Sequence, residues 1–363
     1  PVDENYTCRI VKSIQKIDKK FPVRILLHAP GIHVGGGLHL LESLLEPSSA
    51  TFEWVQLDKR IQSKGHLTGI VAIHWIKKSI WSRLWAEWRL YRRCAVGDTV
   101  LCFHGLPPFF HLRGHVVVFV QNKLLFDSSS LHGYPILTRL RLMGERRWTR
   151  MLSRNCDRYI VQTPSMESVV RCSLGSHVSI SVCPFISRVA DMSHGPTGAV
   201  SSQYDFVYVA SGEAHKNHGN LLLAWRLLAE AGLKPSLALT VDALSYPILA
   251  SEIAKQREHY GLNIENLGKL ASADIPTLYR LSSALIFPSK VESFGLPLIE
   301  ASQMCMPILA SELDYVRDVI EPVETFDPNS PVSIARAVRR FLKNPDPIAP
   351  VGTAQEFLAE VLR

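Results

Sequence analysis

Short apolar runs rich in β-branched residues recur along the chain, each followed by a longer stretch whose apolar residues fall at helical spacing. That alternation confines the chain to parallel sheets joined by crossover helices. In the first half, residues 23–28, 52–57, 69–74, 99–104, 116–120 and 158–162 have the composition of buried strands. In the second half, 205–211, 236–241, 263–267, 284–288 and 307–310 repeat the pattern, the last as a short strand. Between the halves Gly, Ser, Pro and Thr cluster and the apolar periodicity fades, which predicts a linker over 186–203. The expected class is α/β, with one parallel-sheet domain at 1–185, a second at 204–345 and a final segment at 346–363. The first twenty residues carry no core pattern and are expected to form a peripheral arm.

With 363 residues, 47% hydrophobic and 20% charged, the chain has the apolar content for two globular domains. Disordered, collagen-like and disulfide-dense classes are thereby excluded. No run reaches the ~18 uninterrupted apolar residues of a membrane-spanning helix, and the first twenty residues are too charged for a secretory signal. The expectation is a cytoplasmic protein. Its seven cysteines (Cys8, Cys94, Cys102, Cys156, Cys172, Cys183, Cys305) are scattered, with no C-x-x-C pair and no clustered histidine set. They are read as reduced thiols, mostly interior, with no metal centre. A net charge of +7 points to an anionic partner, and a nucleotide, a lipid surface or a nucleic acid would each satisfy it.

Two segments of the first half mix aromatic and basic residues. In 76–94, Trp81, Leu84, Trp85 and Trp88 fall at helical spacing beside Lys77, Lys78, Arg83, Arg89, Arg92 and Arg93. Residues 137–158 carry seven arginines among Leu140, Leu142, Met143 and Trp148. Such helices suit an anionic membrane surface, with Trp81, Trp85, Trp88, Arg92 and Arg93 facing it. They suit equally well crossover helices whose apolar stripe packs on the sheet.

The most informative stretch is 284–311, ALIFPSKVESFGLPLIEASQMCMPILAS. A buried strand runs into a loop, and Pro297 stands where a helix can begin without its amide. Phe294, Gly295 and Leu296 then present backbone N–H groups at the helix start, a setting that attracts phosphate. Glu292 and Glu300 bracket this turn with seven residues between them. Carboxylates on both sides of an amide nest suit a nucleotide sugar, with hydroxyls at both ends and a diphosphate between. An ordinary surface loop with two solvated glutamates fits the spacing too. In the first half, Gly35, Gly36 and Gly37 after a strand permit close backbone approach to a bound group, or simply a tight turn.

The string PSKVESFGLPLIEA resembles the E-x7-E signature of glycosyltransferase family 4, retaining enzymes of the GT-B fold, and MPILAS resembles the short strand that follows it. LGKLASADIPTLY (267–279) looks like the family's strand and helix at the nucleotide base, and FVYVASGEAHKNHGN (206–220) like its first C-terminal strand and phosphate loop. The resemblance implies a GT-B fold of two Rossmann-like domains around a cleft, and transfer of a sugar from a nucleoside diphosphate donor with retention. It assigns Lys216 to the diphosphate, Glu292 to the sugar hydroxyls and Glu300 to the ribose. Gly36, Gly37, Ser211, Lys290, Ser293, Phe294, Gly295 and Leu296 complete the donor side.

Two family features are missing. The usual arginine near the phosphate loop is replaced around Ser211 and Glu213, with Lys290 a candidate substitute. The usual histidine after an N-terminal strand is replaced by Gln121-Asn122-Lys123, which leaves His104 as a catalytic candidate and Asn122 and Lys123 as acceptor-side or sugar-side ones. In the front-face mechanism usual for the family, the leaving diphosphate takes the acceptor proton, so no protein nucleophile is needed. Without a D-x-D pair, no metal is expected. No cofactor is implied beyond the donor, with uridine slightly favoured over guanosine. A lipid-linked or oligosaccharide acceptor at the inner face of the cytoplasmic membrane fits the basic aromatic segments, as in bacterial O-antigen or capsule assembly. The final segment is expected to be helical and to cross back to the N-terminal domain. The competing readings are a GT-B epimerase or glycogen-type synthase, a catalytically degenerate sugar-nucleotide binder, and a basic nucleic-acid-binding module, which has no recognised binding motif to support it.

Overall fold

The computed structural model describes residues 24–45, 52–64, 72–127, 131, 133–186 and 202–346. The expected N-terminal arm with Cys8, the linker apart from its ends, and the final segment after Asp346 lie outside the described residues. Two units are distinguished. The first comprises Pro1–Gln121, Glu145–Val161 and Leu174–Ser181, and the second Asn122–Gly144, Gln162–Ser173 and Val182–Arg363.

The first unit is built on seven strands: β1 (Ile25–Ala29), β2 (Phe52–Asp58), β3 (Ile73–Ile76), β4 (Thr99–Cys102), β5 (His115–Phe119), β6 (Arg158–Val161) and β7 (Ile180–Val182). They form one parallel sheet in the order β3-β2-β1-β4-β5-β6-β7. Central β1 pairs on both edges, with Ile25 opposite Phe52 on one side and Thr99 on the other. Leu26, Leu27, Val55, Leu57, Val100 and Val118 are inaccessible to water, as continuous apolar strands covered on both faces should be. Strand β7 was not expected from the sequence: Ile180-Ser181-Val182 is short and partly exposed, so no apolar run marks it.

Helix α1 (Gly35–Leu44) follows β1, and Gly35, Gly36 and Gly37 are its first turn rather than a loop before it. A Cβ on Gly37 would lie 2.5 Å from Gln121 Oε1, so the close approach here is to Gln121. Helix α2 (Ile80–Arg93) buries Ala86, Glu87 and Leu90. Its tryptophans do not form the buried stripe: Trp81, Trp85 and Trp88 are 81%, 56% and 40% exposed. Trp85 and Trp88 stack on each other at 4.7 Å, and the Arg92 guanidinium lies 5.7 Å over the Trp88 ring.

Helix α3 (Ile136–Met151) stops short of the expected 158, because Ser153–Asn155 tightens into a 3₁₀ turn that leads into β6. It buries Leu142 and leaves Ile136, Leu137, Leu140 and Met143 exposed. Helix α4 (Pro164–Leu174) connects β6 to β7. The cysteines depart from the expected interior: Cys94 and Cys102 are buried free thiols, Cys156 is half-buried, and Cys172, Cys183 and Cys305 are exposed.

The second unit carries β8 (Tyr204–Tyr208), β9 (Leu237–Leu239), β10 (Ile264–Asn266), β11 (Ser282–Phe287), β12 (Ile308–Ser311) and β13 (Glu324–Phe326), parallel in the order β10-β9-β8-β11-β12-β13. Its helices are α5 (His218–Glu230), α6 (Pro247–Tyr260), α7 (Ile275–Arg280), α8 (Leu296–Gln303), α9 (Asp314–Arg317) and α10 (Pro331–Phe341). Phe206, Trp225, Phe287, Leu298, Ile334 and Val338 belong to one continuous core. Trp225 meets Phe206 edge-on at 5.6 Å and donates Nε1–H to the Pro235 carbonyl at 2.9 Å, so its polar handle is satisfied inside that core.

In each sheet the strand order reverses once, between β1 and β4 and between β8 and β11. Loops leaving the carboxyl ends of such strand pairs are where open parallel sheets hold ligands.

Candidate functional site

In the second unit the loops after β8 and β11 meet. Residues 209–217 leave β8, close a 3₁₀ turn at Ala214–Lys216 and enter α5 through Asn217. Asn217 has φ 63°, a left-handed conformation that asparagine tolerates better than most residues. Its side-chain amide donates to the Pro288 carbonyl at 3.0 Å and the Pro328 carbonyl at 2.7 Å, which ties the α5 entrance to the loop after β11. Asn220 adds a second bond to the Pro328 carbonyl at 2.8 Å. Tyr208, wholly buried, donates to the Lys216 carbonyl at 2.8 Å, and Tyr315 donates to the Ser289 carbonyl at 2.8 Å. Lys290 N–H donates to the His215 carbonyl at 2.8 Å.

Held this way, Lys216 Nζ and Glu292 Oε1 stand 2.6 Å apart, with side chains 17% and 12% exposed. Two of the residues singled out from the sequence therefore form one largely enclosed ion pair. Gly295 takes φ 75° as the residue before α8, and Pro297 sits in the first turn as expected. A Cβ at 295 would meet Leu298 Cδ1 at 3.0 Å in addition to the left-handed strain. Gly295→Ala is expected to destabilise the protein by about 1–3 kcal/mol, read as a lower urea midpoint at unchanged slope. Glu300, on α8, accepts from the Tyr279 hydroxyl at 3.0 Å. Burial and the neighbouring Glu300 carboxylate both push the Tyr279 phenol well above its ordinary range, so it stays a donor.

The region where the family arginine would stand is occupied by a hydrogen-bonded cluster. Ser211 Oγ bonds the Glu213 carboxylate, to which Tyr246 also bonds. Burial raises Glu213, but those two bonds and the Lys216 charge outweigh it and hold the carboxyl below its usual value. Burial and the Lys216 charge push His218 down to about 4, so that ring is neutral at ordinary pH and packs against Tyr208 at 5.0 Å. Tyr134 donates to or accepts from His215 Nδ1 at 2.7 Å, and burial beside Glu213 pushes its phenol up to about 12.

The remaining sequence candidates stand elsewhere. Asn122 uses its side-chain oxygen to accept Leu124 N–H at 3.0 Å, capping the short turn that holds Lys123. In the first unit His104 follows β4; its ring meets His28 edge-on at 5.0 Å and its Nδ1 lies 3.4 Å from the His28 carbonyl. Gly36 and Gly37 open α1. Sequence reasoning missed Tyr208, Asn217, Tyr279 and Tyr315, which position the loops. Of these only Asn217 carries a local signal, as a turn-prone residue directly before a helical pattern.

Two parallel-sheet Rossmann-like units of seven and six strands are the architecture of GT-B glycosyltransferases. Residues 191–354 match the family described as glycosyl transferases group 1. Among curated proteins, the serotype-specific mannosyltransferase WbdA of Escherichia coli is 28% identical over 195 residues, covering 51% of the chain and 23% of that protein. The Escherichia coli O-antigen chain mannosyltransferase B is 27% identical over 143 residues, covering 38% of the chain and 36% of that protein. The chain thus spans about a quarter to a third of the length of these relatives. Among solved structures, Anabaena Alr3699/HepE in complex with UDP and glucose superposes with a TM-score of 0.63 at 15% identity, covering 89% of the chain and 90% of that structure. The lipopolysaccharide outer core galactosyltransferase WaaB, in its apo form, superposes at 0.60 and 13% identity, over 88% of the chain and 90% of that structure.

Proposed function

We propose that the chain is a retaining, metal-independent hexosyltransferase that moves a sugar from a nucleoside diphosphate donor to a lipid-linked glycan of O-antigen or capsule type. The observation that carries this reading is the Lys216–Glu292 ion pair at the carboxyl ends of β8 and β11. On donor binding the diphosphate takes the ammonium from Glu292, and the freed carboxylate accepts from the sugar hydroxyls. Glu300, already oriented by Tyr279, accepts from the ribose diol. Backbone amides of Ser293, Phe294, Gly295 and Leu296 at the start of α8 take phosphate oxygens, with Ser211 and Lys290 beside them. Asn122 and Lys123 are the acceptor-side contacts.

The leaving diphosphate accepts the proton of the attacking hydroxyl, so the protein's task is electrostatic. Lys216 and the α8 amides stabilise charge as the glycosidic bond breaks. An α-linked donor then gives an α-linked product. UDP is favoured over GDP as the carrier. WbdA and the chain mannosyltransferase B, both named for serotype or O-antigen synthesis, support a surface polysaccharide as the product. No described helix is long and apolar enough to cross a membrane. The exposed Trp81, Trp85 and Trp88 with Arg92 and Arg93 support attachment to the cytoplasmic face of an anionic membrane, where a lipid-linked acceptor is met.

Thermal-shift binding of UDP, GDP, ADP and their sugar conjugates, with and without magnesium, tests the donor. A ligand bound only by the folded state adds about 2.7 kcal/mol at a hundredfold excess over Kd. The expected result is a magnesium-independent shift with one nucleotide family. No shift with any of them would refute the reading.

A further inference from the structure

We propose that the first unit holds a divalent transition-metal ion of the zinc class between His28, Glu87 and His104. These residues come from β1, from α2 and from the end of β4, and one ligand atom of each lies within 4.8 Å of the other two. His28 and Glu87 are 0% and 1% exposed.

Each side chain has its far atom already engaged. His28 Nδ1 lies 2.5 Å from Gln56 Oε1, and Gln56 Nε2 donates to the Ala86 carbonyl at 3.0 Å, which fixes that amide with its oxygen towards the ring. Nδ1 of His28 therefore donates to Gln56, and Nε2 lies 3.2 Å from Glu87 Oε1, the one ring position left to face a bound ion. His104 Nδ1 donates to the His28 carbonyl at 3.4 Å. Its Nε2 is then a lone pair, shielded from water and without a hydrogen-bond partner among the described residues. Glu87 Oε2 accepts from Phe109 N–H at 3.1 Å, leaving Oε1 for the shared space.

Two imidazoles and a carboxylate with their outer atoms tied to amide and backbone groups have the support that metal-ligating side chains have. A proton on His28 Nε2 would relieve its encounter with Glu87 but would leave His104 Nε2 a buried acceptor with nothing to accept. A cation answers both. Nitrogen and oxygen donors in this ratio suit zinc and its neighbours, whereas magnesium and calcium take oxygen. Arg83 lies near enough to oppose a cation; burial holds its guanidinium below the usual arginine range against the pull of the Glu87 and Glu145 charges, and it lies over Trp148 at 5.5 Å. The site would lock β1, β4 and α2 together. Its ligands are far apart in the chain, His28 and Glu87 by 59 positions, so no sequence motif announces it.

The test is elemental analysis of the purified full chain, followed by chelation and titration with zinc chloride while the melting temperature is followed. Expected are close to one zinc per chain and a rise in melting temperature when zinc is returned. His104→Ala, or His104→Asn should the alanine variant be insoluble, should melt near the chelated wild type and bind zinc at least tenfold more weakly. His115→Ala, which removes an exposed histidine 3.5 Å from Asp157, and Lys216→Ala in the donor site should keep wild-type zinc binding. A wild type that takes up no zinc and shows no thermal response, or a His104 variant that binds like wild type, would overturn the proposal.

Discussion

Lys216→Ala is expected to lower kcat by about 10²–10³-fold, the loss measured when one preorganised donor to a developing oxyanion is removed. The side chain pairs with Glu292 at 2.6 Å, whereas the loop that carries it is held through its backbone by Tyr208 and through Asn217. The variant should therefore fold, with the loss falling on the chemical step and on donor affinity. Lys216→Arg keeps a cation and should recover part of the rate. Glu292→Gln separates the two partners of the pair: it leaves the ammonium for the diphosphate and replaces the charged acceptor for the sugar with a neutral amide that keeps one acceptor oxygen, so donor selectivity should suffer more than nucleotide binding. Rates for both variants within twofold of wild type would place the chemistry elsewhere.

The triple variant Trp81→Ala, Trp85→Ala, Arg92→Ala is expected to weaken partitioning onto anionic vesicles about a thousandfold. Two indole rings at about 1.5 kcal/mol each and one cation at about 1 kcal/mol add to about 4 kcal/mol of lost surface affinity. These side chains stand on the exposed face of α2, and Ala86, Glu87 and Leu90 dock its other face, so the fold should be unaffected. Co-sedimentation with vesicles containing phosphatidylglycerol reads the effect, and added salt should weaken the wild type in the same direction. Unchanged sedimentation of the triple variant would remove the membrane from the account.

The clearest strands in the sequence are β1, β2, β8 and β11, buried on both faces, where continuous apolar composition is forced by the helices above and below. Strands β7 and β13 escaped because Ile180-Ser181-Val182 and Glu324-Thr325-Phe326 each interleave polar residues with apolar ones over three residues and leave no apolar run to mark them. Helix α2 was legible as a helix but ambiguous as to its face, because tryptophan and arginine at helical spacing suit a core or a charged surface equally. The structure resolves this through Glu87, a carboxylate buried where a tryptophan stripe was one expectation.

At the site, Glu292, Gly295, Pro297 and Glu300 were readable because they are close in sequence and each has its own backbone or charge requirement. Their partners were not. Tyr279 reaches Glu300 and Lys216 reaches Glu292 across 21 and 76 positions, distances over which residue type alone carries no spacing signal. For Lys216 it was the likeness to a known phosphate loop, not its charge, that singled it out.

The most direct measurement of the central claim is a transfer assay with purified wild-type and Lys216→Ala protein, UDP- and GDP-linked hexoses and a lipid-linked glycan acceptor in anionic vesicles, with the product's anomeric configuration read by NMR. The account predicts acceptor-dependent release of nucleoside diphosphate without added metal, an α-linked product from an α-linked donor, and loss of at least a hundredfold in rate in the variant. A β-linked product, or equal nucleotide release by wild type and variant, would contradict it.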